Sequence, residues 1–143
     1  MSALGRREFI GVCGGAVACL AAGACASVVA HRVSAVGGRV SLALADHPEL
    51  QTVGGAITIQ PDTMSDPVIV LNSGGGRYTA LSPICTHRGC TVERFGAGFK
   101  CPCHGSGYDR EGRVTNGPAE LPLTSFPTTV AGDRLVINLG RFG

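Results

Sequence analysis

Aromatic residues are scarce: 5 Phe, 2 Tyr and no Trp in 143 residues. Long helices packed through large rings are therefore not expected. Charge is also thin and nearly balanced, with 12 Lys and Arg against 10 Asp and Glu. No basic run interleaved with aromatics tracks a phosphate backbone, so nucleic acid is excluded as an expected partner. The length permits one domain with a real core but not an additional substrate-binding catalytic domain.

What the chain has in quantity is glycine, 22 residues, together with 8 prolines and 7 cysteines. Abundant Gly and Pro with few large apolar residues predict many short strands joined by tight turns, an all-β class. The cysteines fall into two groups: Cys13, Cys19 and Cys25 near the start, then Cys85, Cys90, Cys101 and Cys103. On a helix, the even spacing of the first group turns each sulfur to a different face, so these three do not make one metal site.

The segment Gly5-Arg6-Arg7-Glu8-Phe9-Ile10 opens an uncharged stretch from Ile10 to Ala30 rich in Ala, Val and Gly. Arg6, Arg7 and Phe9 resemble a twin-arginine export signal, which implies an exported protein at the periplasmic face of the cytoplasmic membrane. The stretch is expected to form one apolar helix, and it is also long enough to serve as a membrane anchor. Whether it is cleaved near Ala24-Cys25-Ala26, lipidated at Cys25 or retained stays open. Residues 1–36 are read as signal or anchor with a short linker, and residues 37–143 as the folded head.

Within the head, Val40, Leu42 and Leu44 alternate as on a strand, followed by a short helical turn from His47 to Gln51. Ala56 to Ile59, Pro67 to Leu71 and Arg77 to Leu81 are further strands, and Pro127 to Val130 with Arg134 to Leu139 form a closing hairpin. Gly54-Gly55, Asn72 to Gly76 and Gly96-Ala97-Gly98 are the intervening turns.

Chemistry concentrates in two segments, Cys85-Thr86-His87-Arg88-Gly89-Cys90 and Cys101-Pro102-Cys103-His104-Gly105-Ser106-Gly107-Tyr108. The patterns C-x-H and C-x-x-H each supply one thiolate and one imidazole, so four donors can converge across a hairpin. Sulfur on one iron and nitrogen on the other is the donor set of a mixed-ligand iron-sulfur centre. Zinc also takes two Cys and two His, but zinc modules pair like ligands on each arm. A disulfide exchanger needs C-x-x-C at a helix start, which Cys101 and Cys103 do not provide. His31 and His47 lie outside both segments and are read as surface histidines.

These segments resemble the Rieske iron-sulfur proteins of quinol-oxidising cytochrome bc and b6f complexes, most tightly from Leu81 to Leu123. The resemblance implies an antiparallel β-sandwich carrying a small cluster-binding subdomain, with loops over residues 81–123. It further implies one [2Fe-2S] cluster, with Cys85 and Cys101 on the inner iron and His87 and His104 on the outer. It pairs Cys90 with Cys103 in a disulfide, which would staple the two loops in an oxidising compartment. Ser106 and Tyr108 match hydroxyl donors that raise the potential, and Gly117, Pro118 and Ala119 match a loop that shields the cluster.

The implied function is one-electron transfer, as a cytochrome bc-type subunit or a periplasmic carrier. The partner would be a cytochrome or a larger oxidoreductase subunit, with quinol as a candidate reductant. The small subunit of an arsenite-oxidase-like enzyme and the ferredoxin of an oxygenase are the alternatives. Arg88 departs from the apolar residue usual at the tip, which leaves the partner open.

Overall fold

The computed structural model describes residues 29–140, and the expected apolar helix, Arg6, Arg7 and the first cysteine group lie outside them. Among the described residues no helix is long and apolar enough to cross a membrane. The chain runs through β1 (Ala30–Val33), β2 (Ala35–Val36), β3 (Arg39–Ala43), two 3₁₀ turns (Leu44–Asp46 and Pro48–Gln51), β4 (Ala56–Pro61), β5 (Val68–Gly74) and β6 (Arg77–Leu81). It continues through β7 (Glu93–Phe95), β8 (Gly98–Lys100), β9 (Gly107–Tyr108), β10 (Val114–Asn116), β11 (Ser125–Phe126), β12 (Thr128–Ala131) and β13 (Arg134–Asn138).

Three sheets form, in the orders β1-β4-β5-β6-β11, β12-β13-β3-β2 and β10-β9-β8-β7. The first is the middle layer, and β5 shows why. Val68 and Val70 join Val40, Leu42, Leu135 and Ile137 in one core. Ile69 and Leu71, on the opposite face of the same strand, join Phe99, Tyr108 and Leu123 in a second. A continuous apolar run is what a strand covered on both faces requires. Each such buried side chain contributes roughly 1.5–3 kcal/mol by leaving water.

Strand pairing begins at Ala30, ahead of residue 37: β1 lies alongside β4 with Ala30 opposite Thr58, and β2 pairs with β3. The β1 to β4 pairing is parallel, so the sheets are not wholly antiparallel. Parallel neighbours are joined by a long connection, here everything from β2 to the second 3₁₀ turn, and leave no hairpin signal in the sequence.

Buried Asn72 ties the second 3₁₀ turn to this frame. Its Nδ2 donates to Leu50 O at 2.8 Å and its Oδ1 accepts from Gly74 N at 2.8 Å. Gly55 is required beside it, because a Cβ there would collide with the carbonyl oxygen of Glu49.

Candidate metal centre

The two motif loops project from the third sheet and are built alike. In the first, Cys85 N donates to Cys90 O at 2.7 Å and Gly89 N to Cys85 O at 2.9 Å. In the second, Cys101 N donates to Ser106 O at 2.7 Å and Gly105 N to Cys101 O at 3.0 Å. Each loop thus turns around its first cysteine and closes on a glycine, Gly89 at φ 78° and Gly105 at φ 82°. No other residue type takes that backbone without strain. Both glycines stood in the motifs without an assigned role.

Cys85 and Cys101 are 2% and 1% exposed, and they are the free cysteines among the described residues. Cys90 and Cys103 form a disulfide that joins the two loops. Within the described residues, Cys90, Cys101 and Cys103 form the one three-residue group whose donor atoms approach within 4.8 Å. Two of those sulfurs are bonded to each other, so the group is a staple beside Cys101 rather than a three-thiolate site. His87 is half-buried and His104 exposed. Their rings meet edge to face with centroids 4.8 Å apart.

Tyr108, on β9, places its hydroxyl 3.2 Å from Cys85 Sγ. Burial alone would push the Cys85 thiol up. Hydrogen bonds from the Tyr108 hydroxyl, the His87 backbone and the Cys101 and Ser106 side chains outweigh it and hold the thiol below its usual range. Tyr108 moves the other way, raised by burial and by its bond to Cys85. A tyrosine that keeps its proton beside a sulfur that sheds one is a standing donor.

The third loop is tied to both others. Ala119 N donates to the oxygen of fully buried Ser106 at 3.0 Å. The Thr86 hydroxyl donates to Leu121 O at 2.6 Å. Ala119 is buried under this clamp, whereas Gly117 and Pro118 are exposed. Thr86 has no standing in a ligand pattern, since its role comes from a carbonyl far along the chain. Arg88 is exposed between His87 and Gly89. His31 is exposed, but His47 is half-buried with its ring against His31, not a free surface residue.

Residues 43–127 match the Rieske [2Fe-2S] domain family. The chain belongs to that family.

As a Rieske protein it binds one [2Fe-2S] cluster. Its curated relatives include the cytochrome b6-f complex iron-sulfur subunit of Chlorobaculum thiosulfatiphilum, 43% identical over 75 residues, 51% of this chain and 41% of that one. Another is the subunit of the same name from Gloeobacter violaceus, 31% identical over 94% of this chain and 82% of that one. Against the first of these, the Rieske chain spans about two fifths of the relative's length. Among solved structures, the cyanobacterial plasma membrane Rieske protein of Synechocystis PCC 6803 superposes with a TM-score of 0.55 at 32% identity. That match covers 64% of this chain and 92% of the other.

The side chains fit such a cluster. Two buried free thiols and two imidazoles lie on the paired loops, and His87 Nδ1 is a buried polar atom without a hydrogen-bond partner. A buried nitrogen left unpaired costs about 1–3 kcal/mol unless something fills its lone pair.

Proposed function

We propose that the protein transfers single electrons through a cluster held by Cys85 and Cys101 on one iron and His87 and His104 on the other. The observation that carries this assignment is the unpartnered buried Nδ1 of His87, its ring 4.8 Å from that of His104, in a site that also holds two buried free thiols. When bound, the cluster supplies a one-electron couple whose potential imidazole ligation raises to roughly −150 to +300 mV.

The surrounding residues tune and protect. Tyr108 directs its hydroxyl at the Cys85 sulfur and Ser106 its hydroxyl toward the cluster, which favours the more negative reduced state. The Cys90–Cys103 disulfide holds the two ligand loops together, and Gly117, Pro118 and Ala119 cover them from one side. His87 and His104 bring their rings to the outer surface, where a partner can approach.

The partner is a cytochrome b- or c-type redox protein or a larger oxidoreductase subunit, as the names of the cytochrome b6-f relatives suggest. Quinol is a candidate reductant. Arg88, exposed at the tip, favours an acidic docking face through charge complementarity. The disulfide favours this branch over an oxygenase ferredoxin. Arg6 and Arg7 direct export, and the apolar stretch after them places the head at the periplasmic face of a membrane.

Electron paramagnetic resonance of the reduced full chain tests the assignment. Mixed Cys/His ligation is expected in the native chain, and His104→Ala is expected to abolish that signal. A colourless, zinc-loaded protein overturns the reading.

A further inference from the structure

Among the described residues two buried side-chain polar atoms find no hydrogen-bond partner, and both are imidazole nitrogens: His87 Nδ1 and His47 Nδ1. Each ring stands edge to face with a second histidine. His87 lies 4.8 Å from His104 at 87°, and His47 lies 5.4 Å from His31 at 83°. The first pair is the one proposed to ligate the cluster. The second is built from other elements, His31 on β1 and His47 at the entry to the Pro48–Gln51 turn.

We propose that His31 and His47 form a second metal site, for a divalent transition-metal ion of the zinc or copper class. The spacing suits it. Two imidazole nitrogens at about 2.0–2.1 Å from one tetrahedral ion put the ring centroids roughly 5 Å apart. Imidazole is a good ligand for zinc and copper and a poor one for calcium or magnesium.

The frame is already in place. His47 N donates to Leu44 O at 3.3 Å, and His47 O accepts from Leu50 N at 3.0 Å. Leu50 is fully buried, and its carbonyl is held by Asn72. The His47 ring is therefore carried on a fixed turn. His31, across from it, is exposed, which gives an ion a way in. Glu49, exposed on the same turn, lines the same groove as His31, but its carboxylate does not converge with both imidazoles, so water completes the shell.

Edge-to-face packing of two aromatic rings gives a similar spacing without a metal. That arrangement leaves His47 Nδ1 unpaired in the interior, and buried polar atoms rarely stay so without a water or ion. The site is independent of the cluster assignment, because it shares no residue with it.

The test uses the full chain with its cluster loaded. Calorimetric titration with Zn²⁺ is expected to show one equivalent bound, and Cu²⁺ at the same site is expected to show nitrogen hyperfine coupling from two imidazoles. His31→Ala should weaken Zn²⁺ binding by more than about tenfold, a loss that even an outer-shell change can cause, while the cluster spectrum stays unchanged. His47→Gln should do the same; if it fails to fold, the exposed His31 variant decides alone. No Zn²⁺ binding to the native chain, or binding that survives His31→Ala, overturns the proposal.

Discussion

The hydroxyl of Tyr108 serves two acceptors with one hydrogen: Cys85 Sγ at 3.2 Å and Thr86 Oγ1 at 3.1 Å. Its oxygen meanwhile receives Thr86 N at 3.3 Å. The direction of these bonds follows from counting protons. Thr86 has already given its hydroxyl hydrogen to Leu121 O, a pure acceptor, so between the two hydroxyls Tyr108 must be the donor. Where the sulfur carries negative charge it wins that hydrogen, because charge-assisted bonds are roughly twice as strong as neutral ones.

Tyr108→Phe should therefore keep the cluster and lower its reduction potential. The lost bond matters more to the reduced, more negative state. A difference of about 1 kcal/mol corresponds to roughly 40 mV for a one-electron couple, so a drop of tens of millivolts is expected. Protein-film voltammetry on native and variant chains would measure it. An unmoved potential would remove Tyr108 from the tuning set.

The position of that tyrosine depends on a backbone contact that no pattern in the sequence announces. β8 and β9 run so close that a Cβ on Gly98 would strike the carbonyl oxygen of Tyr108. Gly98→Ala should push β9 outward, destabilise the head and lower the potential by the same route as Tyr108→Phe. In the double variant the potential should fall little further than in either single variant, since the second change removes a bond the first has already stretched. Additive potentials would separate the two effects and refute the shared route.

How far the sequence could be read follows from the range of each interaction. Cysteine and histidine spacing within the two loops is local, so the candidate ligands and the extra cysteine pair were legible. The turn at Gly54, which leads from a 3₁₀ turn into β4 rather than closing a hairpin, and the hairpins at Gly74 to Gly76 and Gly96 were legible for the same reason, each having a glycine at positive φ. The parallel pairing of β1 with β4 was not, because His31 meets Ile59 only after the intervening chain has folded. Thr86 with Leu121 and His31 with His47 are likewise contacts between distant residues of ordinary type. Two-residue strands such as β9 and β11 carry too few positions for alternation to show.

The disulfide yields a prediction about cluster retention. Cys90 and Cys103 are 13 residues apart, and closing a loop of about that length is worth roughly 3 kcal/mol in chain entropy. Reduction would also release two thiols that now sit within 4.8 Å of Cys101 Sγ, where they could compete for iron. Paired Cys90→Ala and Cys103→Ala substitution should lower the denaturation midpoint and speed bleaching of the visible spectrum. Native bleaching kinetics in the variant would show that the staple does not protect the cluster.

Asp109 sets the acid limit of this region. Its Oδ1 accepts from Glu111 N at 3.0 Å and Arg113 N at 2.9 Å, and its Oδ2 from Arg113 Nε at 2.7 Å. These bonds close the turn that carries β9 into β10, where Val114 faces Tyr108. Burial would raise its carboxyl. The backbone N–H and guanidinium of Arg113, with the Glu111 N–H, prevail and hold it below the ordinary carboxylate range. A folded pKa depressed below the unfolded value of about 3.9 stabilises the fold above that value, and the contribution is lost as pH falls through the folded pKa. Asp109→Asn should therefore be less stable than the native chain near neutrality, and the two should converge as pH drops below about 4. Denaturant titrations across that range would test it, and two profiles separated by a constant offset would show that the charge of Asp109 plays no part.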